Sequence, residues 1–462
     1  MIKNPIQWFH NLPEGMRTFV IIWFGGLVSL TGTSMTSFAL ITWAYSITGQ
    51  ATTLALLLFA GRILQVIVSP FAGVVVDRYD RRLIMFYSDL GSGILTSLVL
   101  ILYVNGSLEI WHLYGVQALN GILSAFQRPA YTASISLMVP RKHLSRANGM
   151  RSLAVEGSSI LAPFLAGVLI VTLGMASVMI VDIITFLIAA YTLYIVRIPQ
   201  PRASPSAEND APALTFWQQV TYGFGYIFQR RGLMWLMFIF MGVNFTAALT
   251  YFGILPAMIL ARSGNNELAL ATVQSMMGIG GVIGAIFIST WGGPKRLIHG
   301  ALGFTAFSFI LGDFIIGTGQ STAQWAIGGF LAAVFIPTLV ASERAIWQRK
   351  VAPEVQGRVF AVHTLFREGL YPLGYLLAGP LADQVFGPAM MPGGALADSF
   401  GWLVGTGAGA GMGLMFVCTA FIGLTISLGG YLIPSLRNVE EDLPDYEIVE
   451  MEAVPVVPVI GD

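Results

Sequence analysis

Long apolar runs separated by short polar gaps dominate this chain. A membrane-crossing helix needs roughly 20 mostly apolar residues to traverse about 30 Å of hydrocarbon. Runs of that kind fall approximately at 18–46, 52–76, 83–104, 111–138, 149–173, 176–196, 232–261, 269–291, 297–317, 323–343, 359–386 and 407–434. The pattern is six spans, a polar gap, then six more. The gap is rich in Pro, Ser and Ala and reads as a flexible linker. Beyond it Phe216, Val220, Phe224 and Ile227 recur at helical spacing, which predicts a short amphipathic helix on the membrane surface. After Arg437 the sequence is acidic and punctuated by Pro, a composition that predicts disorder. The expected division is therefore 1–196, a six-helix bundle; 197–231, a linker with the amphipathic helix; 232–436, a second bundle; and 437–462, a disordered acidic tail.

Charge orients these elements. Of the 24 Lys and Arg, all but Arg62, Arg262 and Arg367 fall at the N-terminus, the C-terminus or the even-numbered gaps. Basic residues collect on the cytoplasmic side, so both termini and the linker are expected there, in a multi-pass protein of the inner or plasma membrane. Composition agrees: 55% hydrophobic, 10% charged and a mean hydropathy of +0.73, against about 25% charged residues in soluble domains. Zero net charge gives no electrostatic case for nucleic acid as a partner. Cys418 stands alone and five scattered histidines form no ligand pattern, so neither a metal nor another cofactor is expected. The first apolar run is too long for a cleavable signal peptide. No Gly-Lys pair of a Walker loop occurs, and no nucleophile–base constellation points to an enzyme with catalytic residues.

The halves also repeat. Shifted by 212 positions, Val139 falls on Val351, Arg146 on Arg358, Glu156 on Glu368, Gly157 on Gly369, and Leu165-Ala-Gly167 on Leu377-Ala-Gly379. Parallel six-helix repeats belong to carriers that rock two bundles about a midplane cavity. The fold expected is all-α: about twelve transmembrane helices in two pseudo-symmetric six-helix bundles.

The loop after the second span reads Gly73-Val-Val-Val-Asp77-Arg78-Tyr-Asp80-Arg81-Arg82. It resembles the G-x-x-x-D-R-x-x-R-R gate motif of the major facilitator superfamily. Gly73 would permit close helix approach, Asp77 would sit near a helix N-terminus or a base of the opposite half, and the arginines would pair with carboxylates or lipid phosphates. Asp89, just downstream, would support the motif. The second half retains only Lys295-Arg296 of it. Phe126-Gln-Arg-Pro129, Arg146-Ala-Asn148-Gly, Val181-Asp182-Ile-Ile-Thr-Phe186 and Leu377-Ala-Gly-Pro-Leu-Ala-Asp383 are similar to the macrolide-efflux and siderophore-exporter branch. What this resemblance implies is export of amphipathic small molecules, commonly by proton antiport; the carrier is expected to be a monomer. Export of siderophore or lipid, and a non-transporting receptor on a carrier fold, are the alternatives.

Charges inside the spans are the candidate machinery, since each costs about 2.5–3.5 kcal/mol at a helix centre on insertion scales. Glu156 and Glu368 occupy repeat-related places and are the first proton-coupling candidates. Asp182 and Asp313 join them; each has a plainer reading, as a structural residue for Asp182 and a solvated one near the outer end for Asp313. Arg62 lies midway along the second span, where it would meet an anionic group of the substrate or neutralise a buried acid. Glu368 is expected to pair across helices rather than with adjoining Arg367, because neighbours in sequence do not face each other on a helix. Arg367, Gln117, Asn120 and Asn244 complete the candidate lining of the cavity.

Overall fold

The computed structural model describes residues 13–139, 144–196, 216–352 and 355–446, and every regular element in it is helical. The first six spans are unbroken helices: Glu14–Thr48, Ala51–Arg78, Arg81–Val104, Ile110–Met138, Leu144–Leu173 and Met175–Ile195. Ten described helices are each long and apolar enough to cross a membrane unaided. The fourth and eleventh spans do not qualify, one because of its Gln, Asn, Ser and Arg side chains, the other because it is interrupted. Phe164, Leu173, Tyr194 and Trp402 are among many large apolar side chains left more than half exposed, an outer surface fitted to hydrocarbon rather than water.

The second half departs from simple rods. The seventh span, expected as one run, is two helices, Arg231–Leu249 and Leu255–Ser263, joined by a turn with Pro256 just beyond it. The eighth is Glu267–Trp291. The ninth, Leu297–Thr318, contains a π-helical turn, Ser308–Asp313. The tenth is Thr322–Lys350. The eleventh breaks between Gln356–Gly369 and Tyr371–Pro380, then widens into a π turn, Leu381–Phe386, after Pro380 withdraws a backbone donor. A short helix, Ala397–Val404, precedes the twelfth span, Ala410–Gly429.

The halves meet along two seams related by the repeat. The second span packs against the eleventh, and the fifth against the eighth. Glycine permits both approaches: a Cβ on Gly379 would stand 2.3 Å from the Thr52 Cα, and one on Gly278 2.4 Å from Ile160. Away from the termini, at what is called here the far end, both halves share one core that includes Leu54, Ala166, Leu270 and Ala378. At the end carrying the termini, the basic end, they keep separate cores. Phe19, Met85 and Leu193 lie in one; Ile227, Leu233 and Trp347 lie in the other. The molecule is thus sealed at the far end and parted at the basic end.

Two expectations about the connecting segments need correction. The amphipathic helix, Phe216–Gln229, does form, but it is not simply laid on a membrane surface. It packs against the first part of the eleventh span, with Ile227 fully buried and the Phe224 ring 5.1 Å from that of Phe366. The tail, expected to be disordered from 437, is ordered through Tyr446. Its carboxylates satisfy donors that the bundle would otherwise leave open. Glu440 accepts from the backbone amides of Leu297 and Ile298 at 3.0 and 2.9 Å, capping the ninth span, while Val439 is buried beneath. Buried Lys350 donates to the Glu440 and Leu443 carbonyls and pairs with Asp445 at 2.8 Å. The remaining linker, 197–215, and tail, 447–462, lie outside the described residues.

Lys350→Met strands these oxygens. We expect a loss of about 2–3 kcal/mol, read as an apparent melting temperature several degrees lower when Cys418 reactivity reports unfolding. An unchanged melt would mean that the tail adds nothing to the second half.

Candidate functional site

Polar side chains of the second, fourth and eleventh spans line the centre. The second and fourth spans cross where a Cβ on Gly121 would fall 2.1 Å from the Gly61 carbonyl oxygen. That crossing brings Arg62, Gln117 and Asn120 to one wall of a cavity of about 430 Å3. Glu368, Tyr371 and Tyr375 of the eleventh span form the opposing wall, and Phe252, from the turn in the seventh, closes one side.

Arg62 bridges the halves. Its Nη2 donates to Glu368 Oε2 at 2.7 Å, its Nη1 donates to Gln65 Oε1 at 2.8 Å, and its guanidinium lies 5.5 Å from the Tyr371 ring centroid. Of the two readings of Arg62, neutralising an acid is the one seen here, and Glu368 is that acid. Arg367 nevertheless comes within 3.6 Å of Glu368, because the helix ends between them and Tyr371. Its other nitrogen lies 3.9 Å from Glu343 Oε2, and Glu343 Oε1 lies 2.8 Å from His363 Nε2. A chain of five charged or titratable groups therefore runs from the second span into the C-terminal half. Glu343 and His363 escaped the sequence reading, which treated the first as a span end and the second as one of five scattered histidines. The i, i+4 spacing of His363 and Arg367, on a helix facing an acid, was the available signal.

The other candidates separate. Glu156 does not join Glu368. It faces the seam with the eighth span, where a Cβ on Gly281 would stand 3.3 Å from its Oε2, and no cation among the described residues pairs with it. Asp182 is buried among hydroxyls and accepts from Thr33 and Thr96 at 3.1 and 3.2 Å. Asp89 accepts from Gln127 of the fourth span and shares with Asp182 a cavity inside the N-terminal half. It is thus turned to the bundle interior. Asp313 is also buried, not solvated at the outer end, because the π turn carries it inward. It shares a cavity of about 190 Å3 with Asn244, Glu343 and Arg367. Asn244 accepts from the Tyr371 hydroxyl at 2.8 Å, so it lines this side cavity rather than the central one.

The gate motif is partly described. Asp80 caps the third span by accepting from the Arg82 amide at 2.8 Å. Arg81 donates to the Ala133 carbonyl at 3.2 Å, and Arg82 to those of Leu193 and Tyr194 at 2.7 and 2.5 Å. These contacts tie the third span to the fourth and sixth within one half. The surroundings of Gly73 and the side chains of Asp77 and Arg78 lie outside the described residues. Among the described residues no cluster suits a metal ion.

At the far end Asp383 reaches across the seam and accepts from the amides of Ala51 and Thr52 at 3.1 and 2.7 Å, capping the second span. Arg262, one of the misplaced cations, is held nearby by the carbonyls of Gly317, Gly319, Val404 and Gly409 at 2.6–3.2 Å.

The sequence matches the Major Facilitator Superfamily over residues 22–375, more than half of its length and across both seams. The chain belongs to the major facilitator superfamily. It is 25% identical over 378 residues to macrolide efflux protein A of Streptococcus pyogenes, covering 79% of this chain and 90% of the relative. It is 24% identical over 343 residues to multidrug resistance protein MdtG of Dickeya zeae, covering 73% and 76%. Among solved structures, a bacterial homolog of the human lysosomal transporter Spinster, inward-facing and occupied, superposes with a TM-score of 0.68 at 16% identity, covering 94% and 99%. The nucleoside transporter NupG gives 0.63 at 8%, covering 89% and 98%. This major facilitator transporter is a multi-pass membrane protein and not an enzyme; its curated relatives carry efflux and multidrug names.

Asp383 at a helix N-terminus should stabilise the sealed far end by about 1–2 kcal/mol, some 5- to 30-fold in population. In Cys418→Ser protein carrying Leu54→Cys within the seal, Asp383→Asn should speed labelling by an impermeant thiol reagent from that side several-fold. An unchanged rate would show that Asp383 is no latch.

Proposed function

We propose that this transporter exports amphipathic small molecules by alternating access, driven by proton antiport, and that the structure is its cytoplasm-open state. The observation that carries the reading is the Arg62–Glu368 bridge between the halves, set within a cavity of mixed amide and aromatic lining. An ion pair that a cargo or a proton can break offers a two-state element whose equilibrium both ligands bias. Aromatic faces beside amides suit cargo that is apolar over most of its surface yet carries polar groups. Basic residues at the end carrying the termini support its assignment to the cytoplasm of the cell membrane. On this reading residues 1–196 and 232–436 are the rocking bodies, 197–231 joins them, and the working unit is a monomer. The names of the curated relatives support efflux and macrolide-like cargo.

Purified protein in liposomes, assayed for macrolide flux with and without an imposed pH gradient, tests this. Gradient-stimulated flux that falls at least tenfold in Glu368→Gln is the expected result. Flux indifferent to the gradient would remove proton antiport. No flux of any amphipathic compound by folded protein would remove the function.

A further inference from the structure

Beyond the central cavity, the tenth and eleventh spans bury a carboxylate against an imidazole. Glu343 is 1% exposed and His363 8%. Glu343 Oε1 and His363 Nε2 stand 2.8 Å apart without an aligned hydrogen bond, and neither atom has another partner. Two buried polar atoms this close are costly unless a proton lies between them. We propose that Glu343 and His363 form a proton-binding site in the C-terminal half, and that Arg367 transmits its occupancy to the Arg62–Glu368 bridge. This deepens, and rests on, the reading as a proton-driven carrier.

The surroundings leave few competitors for that proton. From the ninth span Asp313 opens onto the same cavity as Glu343 and Arg367, while His299 lies near the basic end, against Tyr431. The eighth span's one charged residue, Glu267, is in its first turn, and the seventh's first helix offers only Arg231 at its start. The tenth span's other bases, Arg344, Arg349 and Lys350, lie further towards its C-terminal end, and Lys350 is held by the tail. The amphipathic helix packed on the eleventh span contributes the tyrosines Tyr222 and Tyr226, and Arg358 sits over Tyr222. The twelfth span carries no charge.

The mechanism needs one proton and no other chemistry. A hydronium ion at the basic end gives a proton to the His363 ring nitrogen; its O–H bond breaks to leave water, an N–H bond forms and the site gains one positive charge. The imidazolium then engages Glu343, whose hold on Arg367 is already long at 3.9 Å. Arg367, released and repelled by the new cation, turns to Glu368, 3.6 Å away. There it competes with Arg62 for the carboxylate that bridges the halves. Loading the proton thus weakens the bridge, and releasing it restores the bridge.

The Trp347 ring lies 4.3 Å from that of His363, and an imidazolium quenches a neighbouring indole. Tryptophan emission of the purified full chain, titrated without cargo, should fall on acidification as the imidazole takes up a proton. That component should vanish in His363→Gln and in Trp347→Phe. Glu343→Gln should change that component, because the imidazolium loses its counter-charge. In liposomes the stimulation of macrolide export by a pH gradient should fall to about onefold in His363→Gln. A titration unchanged in His363→Gln, with Trp347→Phe as the second check, overturns the site. Full gradient stimulation in His363→Gln overturns the coupling. A wild type that moves no macrolide would sink the functional reading, and the emission titration would still decide the proton site.

Discussion

Hydrocarbon offers no partner to a backbone amide or a charge, so every break in a helix and every ion must be satisfied from within the protein. The N-terminal half meets this with six unbroken helices. The C-terminal half breaks three of its spans, and hydroxyl side chains bond backbone carbonyls beside two of the breaks. Where the seventh span turns, the Thr250 hydroxyl meets the Thr246 carbonyl and the Thr419 hydroxyl. Beside the π turn of the ninth, Ser308 donates to the Ala332 carbonyl. Arg262, at the far end of its bundle, is wrapped by four carbonyls. The same breaks deliver Phe252, Asp313 and Tyr371 to the interior, so covering the backbone and building the cavities are one arrangement.

That constraint also explains why the halves differ in chemistry. Uninterrupted helices in the first half hold Asp182 among hydroxyls and Asp89 against an amide, both without cations among the described contacts. Interrupted helices in the second half bring Glu343, His363 and Arg367 together and aim Glu368 at Arg62. One half provides a hydrogen-bonded frame, the other a chain of alternating charge that ends on the frame. With the far-end core shared and the basic-end cores separate, this chain is an ionic link at mid-depth between two bodies that also meet through the Asp383 cap and the Ser275–Ile160 bond along their seams.

Most of the fold could be read along the chain. Apolar length located all twelve spans, and the polar gap separated the two sixes. The repeat that aligned Glu156 with Glu368 relates the fifth span to the eleventh, and those spans stand in the two related seams. Gly278 is a packing residue at the seam of the fifth and eighth spans. The site was only partly legible. Arg62, Gln117, Asn120 and Glu368 line one cavity, yet Glu156, matched to Glu368 in the repeat, faces a different seam. Glu343 and His363 carried no motif. The first ten residues of the acidic tail looked disordered by composition because their partners, Lys350 and the amides that open the ninth span, are remote in sequence.

The sequence by itself determined what depends on segment-level sums: the number of spans, the gathering of basic residues at one end, the superfamily motif and the unsuitability of this surface for water. Hydropathy and charge add along a chain, and a linear reading captures such quantities. Only the tertiary structure decided which charges meet, which end is sealed and where helices break. Those outcomes depend on the rotation of each helix about its axis and on contacts between residues hundreds apart, such as Arg62 with Glu368 and Asp383 with the start of the second span. A one-residue change in helical phase turns a side chain by about 100°. Periodicity fixes that phase only where one face is apolar and the other polar, and spans with lipid on one side and protein on the other are apolar on both.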